Sequence, residues 1–306
     1  MTQILGLSGR KQSGKNTTAN FLLGLTMNGL ALVQKDYVLS DKGELWISDI
    51  LGDERFAGIF DYYRRNKHIE DLKKNYINPF IKLYSYADLL KQRVCIDVMG
   101  LTWKQCYGTD EEKNSPTKYL WENMPSVLTL DKCGFMFSET PMGNNTVDNL
   151  EPPITDEAFI AGNFTGFLHW NGLLIHKHGQ MTSRDVMQYV GSNIFRKMSG
   201  NIWVDALLRQ IKQDNSGFAI ITDVRFPNEV EGIQKEGGKV MRFTRNPFPE
   251  DNHISETALD KTNFNWDNFD WVIDNSKTSI MRQCQLVQEA LGTSGWVTDL
   301  TGNTDK

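Results

Sequence analysis

Near its amino end the chain reads Gly9-Arg10-Lys11-Gln12-Ser13-Gly14-Lys15, a G-x-x-x-x-G-K run. It lies between an apolar stretch, Gln3–Ser8, and an apolar-faced helix predicted over Thr17–Leu25. Few folds accommodate that order. Glycines let the main chain curl with no side chain in the way, so successive N–H groups point into one hollow. The positive end of the following helix then favours an anion there. The run predicts a cradle for ATP built from Gly9, Lys11, Ser13, Gly14, Lys15, Asn16 and Thr17, with Lys15 reaching the β- and γ-phosphates. The hydroxyl residue that usually follows the lysine is replaced by Asn16, with Thr17 and Thr18 next. Either Thr17 supplies the Mg²⁺ ligand, or the metal is held through water.

Further apolar runs, Lys82–Tyr86, Gly217–Asp223, Lys239–Thr244 and Asp270–Asp274, read as buried strands. Helical spacing falls between them, at about Asp88–Met99, Arg184–Met198, Trp203–Gln213, Val230–Glu236 and Ser279–Gly292. Strands alternating with helices predict an α/β fold: a mostly parallel five-stranded sheet flanked by helices, with inserted β-rich segments. Residues 1–292 read as a single domain with insertions near 30–80 and 110–180, and 293–306 as a polar tail. In the first insertion, Leu30–Ile50 reads as a hairpin around Asp41-Lys42-Gly43, and Asp61–Tyr76 as a solvated helix. The second holds Pro116, Pro125, Pro141, Pro152 and Pro153 and reads as loops and small strands.

Composition removes several classes. With 33 basic against 38 acidic residues the formal charge is −5, which argues against a general nucleic-acid coat. The cluster Tyr62-Tyr63-Arg64-Arg65 reads as a solvated helix face, not a nucleic-acid contact. No apolar run nears the roughly 20 residues that span a bilayer. The opening residues lack the layout of a secretion signal, so no membrane partner and a cytoplasmic address are expected. Cys95, Cys106, Cys133 and Cys284 are scattered, with no C-x-x-C pair, and are expected as reduced thiols.

A phosphate cradle serves many chemistries, so function must come from other residues. Gly9–Thr18, Ala87–Lys91 (A-D-L-L-K), Ser183–Gly191 (S-R-D-V-M-Q-Y-V-G), Trp203-Val204, Asp223–Glu229 (D-V-R-F-P-N-E) and His253–Glu256 (H-I-S-E) occur in this order. Together they resemble the bacteriophage deoxynucleoside monophosphate kinases, outside the stretches near 30–80 and 110–180. The resemblance implies a P-loop kinase fold, a homodimer, the host cytoplasm, and tolerance of a non-hydroxyl residue after the lysine. It places the helix of Arg184 and Gln188 in the monophosphate site, and makes Arg245, rather than Arg242, the family position after its strand.

These residues make physical sense together. Two polyanions must approach, so cations have to arrive from several parts of the chain. Lys91, about a turn beyond the second core strand, suits an acceptor phosphate, and Asp88 on the same face could orient it or bind the sugar hydroxyl. Arg184 and Gln188 share a helix face at i, i+4; the arginine suits a phosphate and the glutamine a base edge. Arg225 is expected to stabilise transfer together with Lys15 and Arg245, with Asp223 partnering the metal or an arginine. Ion pairing within Asp223, Arg225 and Glu229 is the competing expectation. The loop from Pro247 and Pro249 down to Glu256 suits a lid, in which His253 fixes loop structure.

The reading is an ATP-dependent, Mg²⁺-requiring kinase converting a deoxynucleoside monophosphate to the diphosphate. An ATPase working on nucleic acid would want an Asp-Glu pair ending the Gly217–Asp223 strand and a basic track; the strand ends Asp223-Val224 and the chain is acidic. A dephospho-coenzyme A-type kinase stays open, since the insertions could rebuild the acceptor pocket.

Overall fold

A computed structural model describes residues 2–34, 37–63, 67–124, 127–128, 168–170, 173–175, 179–250 and 254–293. Arg64, Arg65, Cys133, His253, the 293–306 tail beyond its first residue and most of the 110–180 insertion's prolines lie outside them. The chain forms two compact units, Met1–Leu89 with Gly200–Lys306, and Leu90–Ser199.

The first unit is built on five parallel strands: β1 (Gln3–Ser8), β2 (Ile81–Tyr84), β3 (Phe218–Val224), β4 (Lys239–Phe243) and β5 (Trp271–Ile273). Their order across the sheet is β5-β4-β1-β3-β2. Register is set by facing apolar runs, with Leu5 beside Ile220 on one side of β1 and Leu7 beside Met241 on the other. The helices α1 (Lys15–Gly29), α2 (Ile202–Asp214), α3 (Pro227–Lys235) and α4 (Ile280–Thr293) cover the sheet. The α1 and α4 face holds the main core, in which Leu5, Leu7, Leu22, Leu23, Ile220 and Val287 are at most 1% exposed. Burial of each such side chain contributes about 1.5–3 kcal/mol. α3 packs on β1 and β4 and against α2. A β-carbon at Gly6 of β1 would come 2.8 Å from Ile233 Cδ1, so the missing side chain lets α3 sit close to the sheet.

The order places β1 centrally, between β3 and β4. In open parallel sheets ligands gather at the carboxyl ends of such strands. Here those ends deliver Gly9, Arg225 and Arg245 into the loops that follow.

The predicted hairpin forms, with Tyr37–Leu39 antiparallel to Leu45–Ile47, and a further short strand, Gly58–Ile59, pairs on its far side. Tyr37 and Leu45 pack over Gly24 of α1, where a β-carbon would overlap the Tyr37 ring. The helix expected over Asp61–Tyr76 is shorter, running Lys67–Leu72 and then Lys73–Ile77 with wide π-type turns. Asp61 and Tyr63 precede it in a turn, where the Asp61 carboxylate accepts the Tyr63 N–H at 2.9 Å.

The second unit has its own core of Cys95, Leu101, Cys106, Trp121, Met181, Val186 and neighbours. Pro116–Leu120 pairs antiparallel with Gln180–Thr182, and Leu173–Ile175 lies between Val127–Leu128 and Leu168–Trp170. Its helices start on threonines. Thr102, Thr109 and Thr182 each accept the N–H three residues on, while Gln105, Glu112 and Asp185 reach back. The helix Ser183–Gln188 continues as π-type turns over Tyr189–Phe195, and Leu89–Val98 is π-type throughout. Gly191 admits Leu90, whose Cδ2 would lie 2.7 Å from a β-carbon there. Cys95, Cys106 and Cys284 are buried free thiols. No helix among the described residues is long and apolar enough to cross a membrane.

Candidate active site

Local sequence forms the cradle and distant sequence braces it. Gly9 and Gly14 adopt φ values of +155° and +101°, which side chains rarely tolerate. A β-carbon on Gly9 would overlap Ser13 Oγ, and one on Gly14 the Gln283 amide. That amide donates to Gly14 O and to Thr18 Oγ1, each at 2.9 Å. Asn275 Nδ2 donates to Ser13 O and to Gln283 Oε1, each at 2.7 Å. Residues from the loop after β5 and from α4 thus hold the loop from behind, while no side chain caps the first turn of α1. Uncapped first-turn amides are what an anion site needs.

Lys15 is 8% exposed. Its Nζ donates to Gly9 O at 2.6 Å and Arg10 O at 2.7 Å, with Ser13 Oγ at 3.4 Å. Burial, then the charges of Arg225 and Arg242, bring its pKa down to about 7, against the pull of Asp223. A phosphate beside the amine reverses the effect of the two arginines and raises that pKa. ATP binding at pH 8 is therefore expected to take up about one proton, and affinity is expected to fall as pH rises above 7. Titration calorimetry in buffers of different ionisation heat checks this; heats independent of buffer at pH 8 would refute it.

Around the lysine, Arg225 NH1 pairs with Glu256 Oε1, and the other Glu256 oxygen accepts the Lys11 N–H at 2.6 Å. Arg242, 3% exposed, donates to Ser8 Oγ at 3.1 Å and to Asp260 Oδ1 at 3.2 Å. Its Nε is buried with no hydrogen-bond partner among the described residues. Burial lowers its pKa to about 10, opposed by Asp260. Arg10 also pairs with Asp260.

The expected pairing within Asp223, Arg225 and Glu229 takes another form. Asp223 accepts from Ser85 Oγ at 2.7 Å, Tyr86 N at 2.8 Å and Ala87 N at 3.0 Å, capping the helix Tyr86–Asp88. Glu229 accepts the backbone N–H groups of Arg225 and Phe226 at 2.7 and 3.1 Å. The Arg225 side chain is thereby turned to Glu256. Arg245 donates to Asn275 O at 3.1 Å and Thr278 O at 2.6 Å, while its N–H reaches Asn275 Oδ1 at 2.9 Å. Arg245 thus lies one residue, Asn275, away from Ser13. Thr17 Oγ1 lies under the Gly43 turn, where a β-carbon would overlap it. Lys11 extends its ammonium over the Phe248 ring, 5.5 Å from its centroid.

In the second unit, Lys91 Nζ stands 4.7 Å from the Tyr107 ring centroid, and Tyr107 stacks on Trp103. Arg184 donates to Asp110 Oδ1 at 2.7 Å, and its Nε is buried with no partner among the described residues. Gln188, a turn later, is exposed. Glu256, Asp260, Arg10 and Arg242 are site residues that sequence reasoning did not assign. Arg10 was legible as a cation inside the glycine run and Glu256 as the end of the His253–Glu256 motif; Asp260 had no local signal.

This arrangement can hold a polyphosphate and neutralise charge developing on it. Among the described residues no three His, Cys, Asp or Glu side chains gather as a metal site. No curated protein matches the chain. A family model described as deoxynucleotide monophosphate kinase matches residues 82–281, starting after the glycine run, which therefore stands on its own geometry. A match over more than half of the sequence, carried on a parallel sheet of kinase type, settles kinship: the chain belongs to the deoxynucleotide monophosphate kinase family.

Proposed function

We propose that the protein transfers the γ-phosphoryl group of ATP to a deoxynucleoside monophosphate, giving the diphosphate. The observation carrying this reading is the convergence of Lys15, Arg225 and Arg242 at the carboxyl ends of β1, β3 and β4, where both arginines act on the charge of Lys15 and Arg225 acts on that of Arg242. Such a concentration of cations is unstable alone and fits a reaction whose charge sits on equatorial phosphate oxygens. ATP occupies the Gly9–Thr17 loop. Mg²⁺ bound there would neutralise part of the charge on the phosphates. With the Thr17 hydroxyl under Gly43 and Asp223 accepting three hydrogen bonds, these residues would hold the metal through water. Arg225 stabilises the transferring group, and Arg245 steadies the loop through Asn275. No strong base is needed, because the acceptor is an ionised phosphate.

Asp88, Lys91, Arg184 and Gln188 serve the acceptor. Arg184→Ala is expected to raise the acceptor KM about tenfold or more, with the ATP KM within about twofold, since a charged hydrogen bond to phosphate contributes roughly 1.5–3 kcal/mol. Equal effects on both would remove Arg184 from the acceptor site. A coupled ADP-release screen tests the whole reading, using the four common deoxynucleoside monophosphates, their ribose counterparts and dephospho-coenzyme A. Turnover with dephospho-coenzyme A alone would replace it.

A further inference from the structure

A cavity of about 260 Å³ opens beside the first turns of α1, between them and the inserted three-stranded sheet. Its polar lining is Asn16, Asn20, Glu44, Asp61, Tyr63 and Thr222, and its remaining walls are mostly apolar. That volume is near the lower end of ligand pockets, which run about 300–1,000 Å³, and suits a base with part of its sugar.

The lining has a definite sign. Among the described residues it contains two carboxylates and neither lysine nor arginine, and these carboxylates repel a phosphate and favour a neutral group rich in N–H donors. Both carboxylates keep an oxygen for such a group. Glu44 Oε2 accepts Ser40 Oγ at 3.0 Å and Asp61 Oδ1 accepts Tyr63 N at 2.9 Å, leaving Oε1 and Oδ2 without a hydrogen-bond partner among the described residues. Tyr63 connects the cavity to the chemistry. Its ring lines the cavity beside Thr222, and its hydroxyl lies close enough to Asp88 and Asp223 to feel both charges. Asn16 is the neighbour of Lys15 in sequence. A nucleotide with its ring in the cavity can thus turn its phosphate toward the cations.

We propose that this cavity receives the nucleoside part of the acceptor, with the donor edge of an amino-bearing base on Asp61 and Glu44. The inserted sheet and the turn after it then set base preference. The inference rests on the kinase reading above and assigns part of its acceptor site. Carboxylates recognise adjacent N–H donors and leave thymine, which has no amino group, without that attraction.

The test measures KM and kcat of the full chain and of Asp61→Asn and Glu44→Gln with the monophosphates of deoxyguanosine, deoxyadenosine, deoxycytidine and thymidine. At least one variant is expected to raise KM tenfold or more for an amino-bearing acceptor, with KM for ATP and for thymidine monophosphate within twofold. Unchanged acceptor KM in both variants, or an equal loss with thymidine monophosphate, overturns the inference while leaving the kinase reading intact. If the wild-type chain phosphorylates none of the four, the kinase reading fails, and calorimetry with deoxyguanosine decides the cavity. Binding that Asp61→Asn or Glu44→Gln weakens tenfold supports it, and no binding to the wild type overturns it.

Discussion

Lys15→Ala is expected to lower kcat by about 10³-fold or more, a loss of roughly 4 kcal/mol of transition-state stabilisation. The expectation follows from position. Lys15 is 8% exposed, so its charge is screened less by water and acts more strongly on an oxygen in the loop than a surface lysine would. The same burial separates catalytic from structural roles. The side chain is held near Arg225 and Arg242, which lower its pKa, so removing it relieves repulsion while losing its bonds to Gly9 O and Arg10 O. These effects oppose one another, and the melting temperature should move by only a few degrees. ADP release and thermal melting, measured on the same preparation, check the pair of outcomes. A variant keeping more than about a tenth of wild-type turnover would remove Lys15 from the reaction.

The second large effect belongs to Arg225. Arg225→Ala is expected to cost about 10³-fold in kcat, the lower range for an arginine that stabilises phosphoryl transfer. It should also destabilise the chain, because Glu256, with its side chain 8% exposed, loses its cationic partner. Stranding a buried carboxylate costs about 3–5 kcal/mol; Arg225 is 28% exposed, so about half of that is expected. The double variant Arg225→Ala with Glu256→Gln removes the stranded charge. It should recover most of the lost stability and none of the lost turnover. If activity returned along with stability, Arg225 would be a structural partner of Glu256 and not a transfer residue.

The legible parts of this chain were those whose causes lie within a few residues. The glycine run could be read because strand, turn and helix start are contiguous, and the five core strands because each is a short apolar run. The hairpin at 37–47 was visible, but its third strand, Gly58–Ile59, is two residues long and leaves no periodic trace. The wide helical turns at Leu89–Val98 have no sequence mark either, since the same spacing suits an ordinary helix. The site was half legible. Lys15 and Arg225 are at the cradle, but the Glu256 partner of Arg225 left no mark in the spacing, since the competing expectation from D-x-R-x-x-x-E was local pairing. Pro227 starts α3 and turns Glu229 back onto the backbone, which frees the guanidinium for a carboxylate 31 positions later. Arg10 meets Asp260 across 250 positions, and no local propensity encodes such a meeting.

Glu256 deserves a last consequence. One of its oxygens rests on a loop amide and the other on an arginine, the two kinds of donor that a phosphate oxygen seeks. The carboxylate thus occupies the donors that the proposed function gives to a nucleotide. On that proposal an arriving triphosphate has to displace an incumbent of like charge, and its affinity is expected to reflect a swap of anions.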